Sequence, residues 1–382
     1  MSRPRSTTVS EAGAEHGSCG RGASGLGDDT PHGARSLLPR VEDGHLRVAG
    51  ATLPWNRRAT LVVSVALVLI VVAVVLSLTL GRLGIALTEL PAVLRGEGST
   101  TEHFVVFTHR LPRAIVGICA GAALGVSGAI FQSVTRNPLG SPDIIGLNAG
   151  AAAGAAAATL VWPGIMPAPL GALLGGGVAV TLVLLGAGRG LQAPLRMVVI
   201  GIGVGAMSLA FVQFAITRTR REQAQEMAAW LNGSLNARSW EHVTIITVAL
   251  VVLGAAALTL SRGLQHVEMG DDAAVALGVP ARRVRLLAVA VGVGLAAAAV
   301  VVCGPVAFVA LVAPQVARRV TGSTGPGMVA AGALGALLLV GADLVSVHQP
   351  WFSTLPVGVL TAGIGGLYLA VLLTREWRRG TL

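Results

Sequence analysis

The chain has 382 residues, of which 53% are hydrophobic and only 12% are charged, and its mean hydropathy is +0.74. A soluble domain carries about 25% charged residues, so this composition excludes an ordinary soluble protein and favours a membrane protein. The net charge of +10 comes from arginine, since the chain has no lysine. These arginines lie between apolar segments, which argues against nucleic-acid binding and for a role in membrane orientation.

Residues 1–58 differ in composition from the rest of the chain. They are rich in Gly, Ser, Arg and acidic residues and show no helical or strand period. Such a segment cannot bury a core, so we expect a disordered cytoplasmic tail. No apolar stretch follows the first charges, which excludes a secretory signal. Residues 377–382 are predicted to form a second, short cytoplasmic tail.

Residues 59–376 predict an all-α polytopic membrane domain of about ten spans, each near the ~20 residues needed to cross a bilayer. Small residues within the spans, as in GICAGAALGVSG at 117–128, allow helices to approach closely. The expected spans are 59–80, 112–133, 143–162, 167–187, 195–217, 242–261, 284–303, 307–320, 327–346 and 355–374.

The distribution of arginine predicts the orientation of these spans. With the N-terminus inside, the inner side receives 14 arginines, counting Arg57 and Arg58 but no earlier one, and the outer side receives 8. Because positive residues are retained in the cytoplasm, both termini are predicted to be cytoplasmic.

The chain carries none of the common catalytic motifs. Without lysine it has no G-x-x-x-x-G-K-[ST] site for ATP, and its three scattered cysteines predict no metal or redox site. Asp143 and Asp343 lie near span ends without an obvious partner. An ion-coupled secondary transporter usually keeps such groups near the membrane centre, so that alternative is disfavoured, and an intramembrane enzyme is weaker still. The energy for transport is expected from another subunit.

Five sequence blocks carry a family resemblance. RLPRAIVGICAGAALGVSGAIFQSVTRNPLGSPDIIGLNAGAA at 110–152 resembles the signature of the iron–siderophore and vitamin B12 (FecCD-type) family of ABC-importer permeases. WLNGSLNARSW at 230–240 resembles its ferric-siderophore branch. Blocks at 276–285, 304–322 and 341–366 follow in the family's order.

The resemblance covers residues 59–376 and implies a vitamin B12 permease-like type II importer fold. It further implies a dimer with an identical or a sister permease, two cytoplasmic ATPase subunits and an external substrate-binding protein. In that assembly this chain holds no cofactor, and the partner ATPases bind ATP and Mg. A ferric siderophore is the implied substrate, with vitamin B12 and haem left open.

The segment RGLQHVEMGDDAAVALGVPARRVR at 262–285 is the longest polar interruption after residue 240. Its pattern predicts two short surface helices joined by a tight corner. The resemblance implies that this segment couples to the ATPase, the alternative being an ordinary charged loop. The coupling candidates are Glu268, Gly270, Asp271, Asp272, Leu277, Gly278, Pro280, Arg282 and Arg283.

Arginines on the predicted outer side are candidates for docking the binding protein. The resemblance implies that the R-L-P-R motif pairs with its acidic residues, and a guanidinium holds a carboxylate bidentately. The family's further outer arginine near the ninth span is replaced here by Ser346-Val347-His348. Interfacial snorkelling is the alternative role. The docking candidates are Arg110, Arg113, Arg218, Arg220, Arg221 and His348.

Residues 136–146, RNPLGSPDIIG, predict a rigid corner on the inner side, because its prolines halt the helices on either side. Its candidates are Arg136, Asn137, Pro138 and Asp143, the last as a charge at a helix N-terminus. Direct contact with the substrate and a position close to the ATPase are the alternative roles.

The transport pathway is only weakly marked by the sequence. The family lines it with the fifth and tenth spans, although the glycines there are equally consistent with helix packing. One nearby position departs from the family, since Gln315 stands where histidine is common. The pathway candidates are Gly201, Gly205, Ser208, Gln213, Leu360 and Thr361.

Overall fold

The computed structural model describes residues 40–42, 45–48, 51–54, 57–80, 84–188, 194–323, 325–349 and 355–378. The chain divides into two compact units, residues 1–55 and 56–382.

The described part of the first unit is a three-stranded antiparallel sheet. Its strands β1 (Arg40–Glu42), β2 (His45–Val48) and β3 (Ala51–Pro54) are paired in sequence order. Leu46 of β2 lies opposite Leu53 of β3. The prediction of no regular structure in this tail is therefore wrong for these residues, because short strands in a hairpin meander need little apolar periodicity. The rest of residues 1–56, and the tail at 379–382, lie outside the described residues.

The described part of the second unit is helical. Its first helices are α1 (Arg57–Thr79), α2 (Leu90–Leu94), α3 (Thr100–Phe104), α4 (Leu111–Thr135), α5 (Leu147–Ala156), α6 (Ala168–Ala187) and α7 (Pro194–Thr217). They are followed by α8 (Arg221–Leu231), α9 (Trp240–Glu268), α10 (Asp271–Ala276), α11 (Ala281–Cys303), α12 (Val309–Thr321), α13 (Met328–His348) and α14 (Val357–Arg378).

The ten predicted spans correspond to ten of these helices, and the all-α membrane fold is confirmed. Among the described residues, seven helices are long and apolar enough to cross a membrane. Two shorter apolar helices, Leu147–Val161 and Val357–Leu372, match the third and tenth predicted spans. The eighth predicted span is α12, which has 13 residues and contains Pro314.

Some local structure departs from the predicted boundaries. The helix before α4 includes a π-helical stretch at Val105–Arg110, and a 3₁₀ turn at Pro142–Ile145 precedes α5. The helix α8 lies where a loop was expected, since its polar sequence gives no membrane signal. The coupling segment forms one short helix, α10, and not two, because α9 and α11 extend into it.

Helix α4 occupies the centre of the bundle. It is buried along nearly its whole length and packs against α9, α11, α12 and α13. Small residues make this possible: a Cβ added at Gly121 would lie 2.5 Å from the carbonyl oxygen of Gly335 on α13. The two backbones are thus in direct contact, as in close-packed membrane helices.

Candidate functional site

An ion pair joins α10 to α11 on the predicted inner side. Arg285 Nη2 donates to Asp271 Oδ1 over 2.5 Å, and Nη1 donates to Oδ2 over 3.2 Å. The Arg285 side chain is only 2% exposed, whereas that of Asp271 is 33% exposed. Because a bidentate guanidinium fixes both distance and orientation, rotation of α10 against α11 would break this pair.

Arg136 brings the inner corner to the same carboxylate. It ends α4 in the left-handed conformation, with φ of +50°, and its Nη2 lies 3.9 Å from Asp271 Oδ1. The hydrogen bonds from Arg285, aided by the charges of Arg285 and Arg136, hold the pKa of Asp271 below its ordinary value. Asp271 is therefore an anion at neutral pH.

A second ion pair lies beside the first. Arg318 Nη2 of α12 donates to Glu268 Oε1 at the end of α9 over 2.8 Å. The same Nη2 lies 3.1 Å from the hydroxyl oxygen of Ser133 on α4. We call the two pairs, together with Arg136 and Ser133, the inner network. It connects α4, α9, α10, α11 and α12.

The remaining coupling candidates form an exposed surface. Asp272, Gly278, Pro280, Arg282 and Arg283 are all exposed. The side chains of Leu277 and its neighbour Val275 are 60% and 64% exposed. On the opposite face of α10, Ala274 packs with Val267 and Ala281. The segment thus presents an apolar and charged face away from the bundle while its other face is anchored.

Arg285 and Arg318 were not among the residues predicted from the sequence to belong to this site. For Arg285, helical spacing carried a signal: it lies four residues after Ala281 and three before Ala288, both of which are buried. Arg282 and Arg283 lie off that stripe and are exposed.

The inner corner packs against α12. Asn137 Oδ1 accepts a hydrogen bond from the backbone of Leu139 over 2.9 Å, which shapes the turn. The carbonyl of Pro138 accepts a hydrogen bond from Gln315 Nε2 over 2.7 Å. Asp143 does not cap a helix backbone but accepts a hydrogen bond from the Asn148 side chain over 2.5 Å. These contacts support a rigid corner.

On the predicted outer side, Arg113 binds an acid of its own chain. Its Nε and Nη2 donate to the two carboxylate oxygens of Asp343 over 2.8 and 2.7 Å, and Nη1 donates to Asn236 Oδ1. Asp343, which has no obvious partner in the sequence, therefore has one in the fold; residues 230 positions apart could not be paired from sequence. Arg113 joins α4 to α13 and to the loop before α9.

The other docking candidates are dispersed. Arg110 donates to the carbonyl of Leu78 over 2.5 Å. Arg218 lies over the ring of Phe214 at 5.2 Å, and Arg220 and Arg221 are exposed beside it. His348 is partly buried, with Nδ1 2.9 Å from the Leu344 carbonyl. Only the arginines at 218–221 form an exposed basic cluster of the predicted kind.

A cavity of about 520 Å³ lies between α5, α7, α8 and the loop before α12. Its lining is mainly apolar, with polar groups from Asp143, Asn148 and Gln213, and it includes Phe308. Phe308, the N-cap residue just before α12, has φ of +67°, a strained conformation for a side chain of this size.

Of the six pathway candidates, only Gln213 lines this cavity. Gly201 instead allows α7 to contact the turn before α5, since a Cβ there would lie 3.1 Å from Ile145 Cα. Thr361 is buried, and its hydroxyl donates to the Gly358 carbonyl over 3.0 Å. Gly205, Ser208 and Leu360 do not line it either.

The described residues contain no group of three or more His, Cys, Asp or Glu side chains that could hold a metal ion. Cys119 and Cys303 are both buried, free thiols.

Comparisons with known proteins agree with this architecture. The FecCD transport family profile matches residues 69–375. The ferric enterobactin transport permease FepG of Escherichia coli (strain K12) is 42% identical over 310 residues, covering 81% of this chain and 94% of FepG. The Fe(3+)-citrate import permease YfmE of Bacillus subtilis (strain 168) is 34% identical, with 85% and 98% coverage.

Among solved structures, a metal-chelate type ABC transporter in an inward-facing conformation superposes with a TM-score of 0.74. It is 26% identical, and the match covers 83% of this chain and 99% of that one. With the ten helices described above and a family match over most of the sequence, the chain is a multi-pass membrane protein that belongs to the FecCD transport family.

Proposed function

We propose that this chain is the membrane-spanning subunit of an ATP-driven importer that carries a ferric siderophore across the cytoplasmic membrane. The observation that carries the proposal is the 42% identity to a ferric enterobactin permease over nearly all of that protein's length. The relatives named for citrate and hydroxamate chelates of iron point to the same substrate class.

The assembly we propose has four further subunits. A second permease, identical or a sister chain, completes the pathway, and two cytoplasmic ATPases bind ATP and Mg. An external binding protein delivers the chelate. The exposed apolar face of α10, with Val275 and Leu277, supports an ATPase contact. An exposed apolar patch of this kind is normally covered by a partner protein.

Both termini are cytoplasmic in this proposal, which places the inner network beside the ATPases. The arginines at 218–221 then face the binding protein. Their guanidinium groups suit carboxylates on its surface.

The proposal is tested by uptake of radiolabelled iron–siderophore complexes into cells that carry the permease with its ATPase and binding protein. Gly278 has φ of +76°, which proline cannot adopt. We expect Gly278→Pro to abolish uptake while the protein still reaches the membrane, because the turn between α10 and α11 is lost.

Gly278→Asn is the matched control. No atom lies within 4 Å of a Cβ at this position, and asparagine tolerates a left-handed backbone, so uptake is expected to persist. Uptake of vitamin B12 or haem without any ferric siderophore would contradict the substrate assignment. Uptake that continues without the ATPase and stops when the proton gradient is dissipated would contradict ATP-driven import.

A further inference from the structure

Two acids flank a backbone turn of the coupling segment, and each binds an arginine from a different spanning helix. Glu268 ends α9 and pairs with Arg318 of α12, while Asp271 begins α10 and pairs with Arg285 of α11. Between them lies Gly270, with φ of +118°. The α9–α10 connection is therefore held at both of its ends.

The Asp271 pair constrains α10 strongly. A guanidinium that is 2% exposed is costly to desolvate unless its charge is compensated, so the position of Arg285 depends on the Asp271 carboxylate. The second cation, Arg136 at the end of α4, lies 3.9 Å from the same oxygen. A displacement of α10 thus acts on α11 and on the end of α4 together.

The Glu268 pair extends the same connection. Arg318 contacts both Glu268 and Ser133, which joins α9 and α12 to the last turns of α4. The end of α4 leads into the inner corner, whose Pro138 is bound by Gln315 of α12. Asp143, a few residues later, lines the 520 Å³ cavity.

We propose that Asp271 and Arg285, supported by Glu268 and Arg318, are positioning residues that transmit displacement of α10 to α4, α11 and α12. The inner corner and the start of α12 then carry this movement to the lining of the cavity. The exposed residues of α10 make the contact with the ATPase, and the inner network converts that contact into movement of α4, α11 and α12. This inference rests on the proposed function as an ATP-driven importer.

The test uses the complete importer in cells and, after purification, in liposomes. Asp271→Asn removes the charge while keeping the side-chain shape. We expect the variant to co-purify with the ATPase, and its iron–siderophore uptake per ATP hydrolysed to fall at least fivefold. Arg285→Gln is expected to do the same, and the double variant to lose no more than twofold beyond the worse single variant, because both changes remove one interaction.

Glu241→Gln, exposed at the opposite end of α9, is the matched control for lost charge. Its uptake per ATP hydrolysed is expected to stay within twofold of wild type. A wild-type ratio in Asp271→Asn overturns the proposal, and so does an equal loss in Glu241→Gln. Failure of Asp271→Asn to co-purify with the ATPase also overturns it, since the residue would then serve docking.

A second readout separates this inference from the substrate assignment. Stimulation of ATP hydrolysis by the binding protein reports coupling whichever chelate is carried. If wild-type liposomes take up no ferric siderophore, the proposed substrate is wrong, and Asp271→Asn is judged by this stimulation alone. Loss of this stimulation in Asp271→Asn supports the transmission role. Stimulation of Asp271→Asn equal to that of the wild-type protein overturns the proposal.

Discussion

Arg113 and Asp343 carry opposite charges at a position where little water reaches them, with side chains 20% and 7% exposed. Removing one partner of such a pair leaves the other charge uncompensated, which costs about 3–5 kcal/mol. We expect Arg113→Gln to lower the thermal unfolding midpoint of the detergent-purified permease by about 5–10 °C. Unfolding can be followed by loss of the monodisperse peak in size-exclusion chromatography.

The double variant Arg113→Leu/Asp343→Leu distinguishes an internal pair from a docking residue. Replacing both charges by apolar side chains is often nearly neutral, so the double variant should recover at least half of the lost stability. If Arg113→Gln instead unfolds like wild type and only weakens association with the binding protein, the docking role predicted from the sequence is the correct one.

Asp271 makes stability depend on pH in a defined direction. Its pKa is lower in the folded protein, so the folded state binds fewer protons than the unfolded state as pH falls. The stabilisation is complete above the ordinary Asp pKa near 3.9 and is lost as pH falls through the lowered folded value. The difference in unfolding midpoint between wild type and Asp271→Asn should stay constant from about pH 7 to 5 and shrink below about pH 4.

The neighbouring carboxylate supplies the control for this measurement. Asp272 is exposed on the same turn of α10, so Asp272→Asn should differ little from wild type at any of these pH values. A pH-independent difference for Asp271→Asn would show that the carboxylate gains nothing from Arg285 and Arg136 in the folded state.

Single residues were predicted from sequence only where local rules decide their position. Gly278 and Gly270 were correctly expected at turns, because acids, glycine and proline follow one another there. The pairing of Arg113 with Asp343 was not predictable, since it depends on how α4 packs against α13. The left-handed backbone of Phe308 was not predictable either, because nothing in the apolar sequence around it indicates this conformation.

At the scale of elements, α5 and α6 pack through glycine. A Cβ added at Gly171 of α6 would lie 2.5 Å from the Gly154 carbonyl oxygen and 2.6 Å from the Ala158 Cβ. We expect Gly171→Ala to force the helices apart and to cost about 1–3 kcal/mol. The measurement is the thermal unfolding midpoint of the purified permease.

Gly177, six residues later on α6, is the matched control. Nothing lies within 4 Å of a Cβ built there, so Gly177→Ala meets only open space. Alanine also has the higher helix propensity, and the midpoint should stay equal or rise slightly. Equal losses for the two variants would show that glycine flexibility, and not close contact, determines the stability of α6.

Elements were predictable where hydrophobicity decides them. Each predicted span matched a helix because a bilayer requires long apolar segments with internally satisfied backbones. Hydrophobicity does not mark α8, which mixes polar and apolar residues and has only 11 of them, or the 3₁₀ turn at Pro142–Ile145. The end of α9 was misplaced for a related reason: the helix continues beyond the predicted span to Glu268, whose side chain pairs with Arg318.

At the scale of the whole molecule, the side-chain contacts between helices and loops fall into two sets. This division does not depend on how arginine is distributed between the two sides of the membrane. One set joins Arg136, Glu268, Asp271, Arg285 and Arg318. The other joins Arg113, Asn236 and Asp343, with Arg238 bound to the Val302 carbonyl. If the ten spans alternate in direction, every member of the first set lies on one side of the membrane and every member of the second set lies on the other. These contacts are consistent with alternating spans, and the arginine excess predicts that the first set faces the cytoplasm.

This orientation predicts opposite labelling of two exposed positions. Arg220 precedes α9 and Arg283 follows it, and 29 helical residues extend about 43 Å, enough to cross the membrane. In a Cys19→Ala background, with Cys119 and Cys303 buried, a membrane-impermeant maleimide should label Arg220→Cys in intact cells. Arg283→Cys should react only after permeabilisation. The reverse pattern would invert the orientation, and labelling of both in intact cells would mean that α9 does not cross.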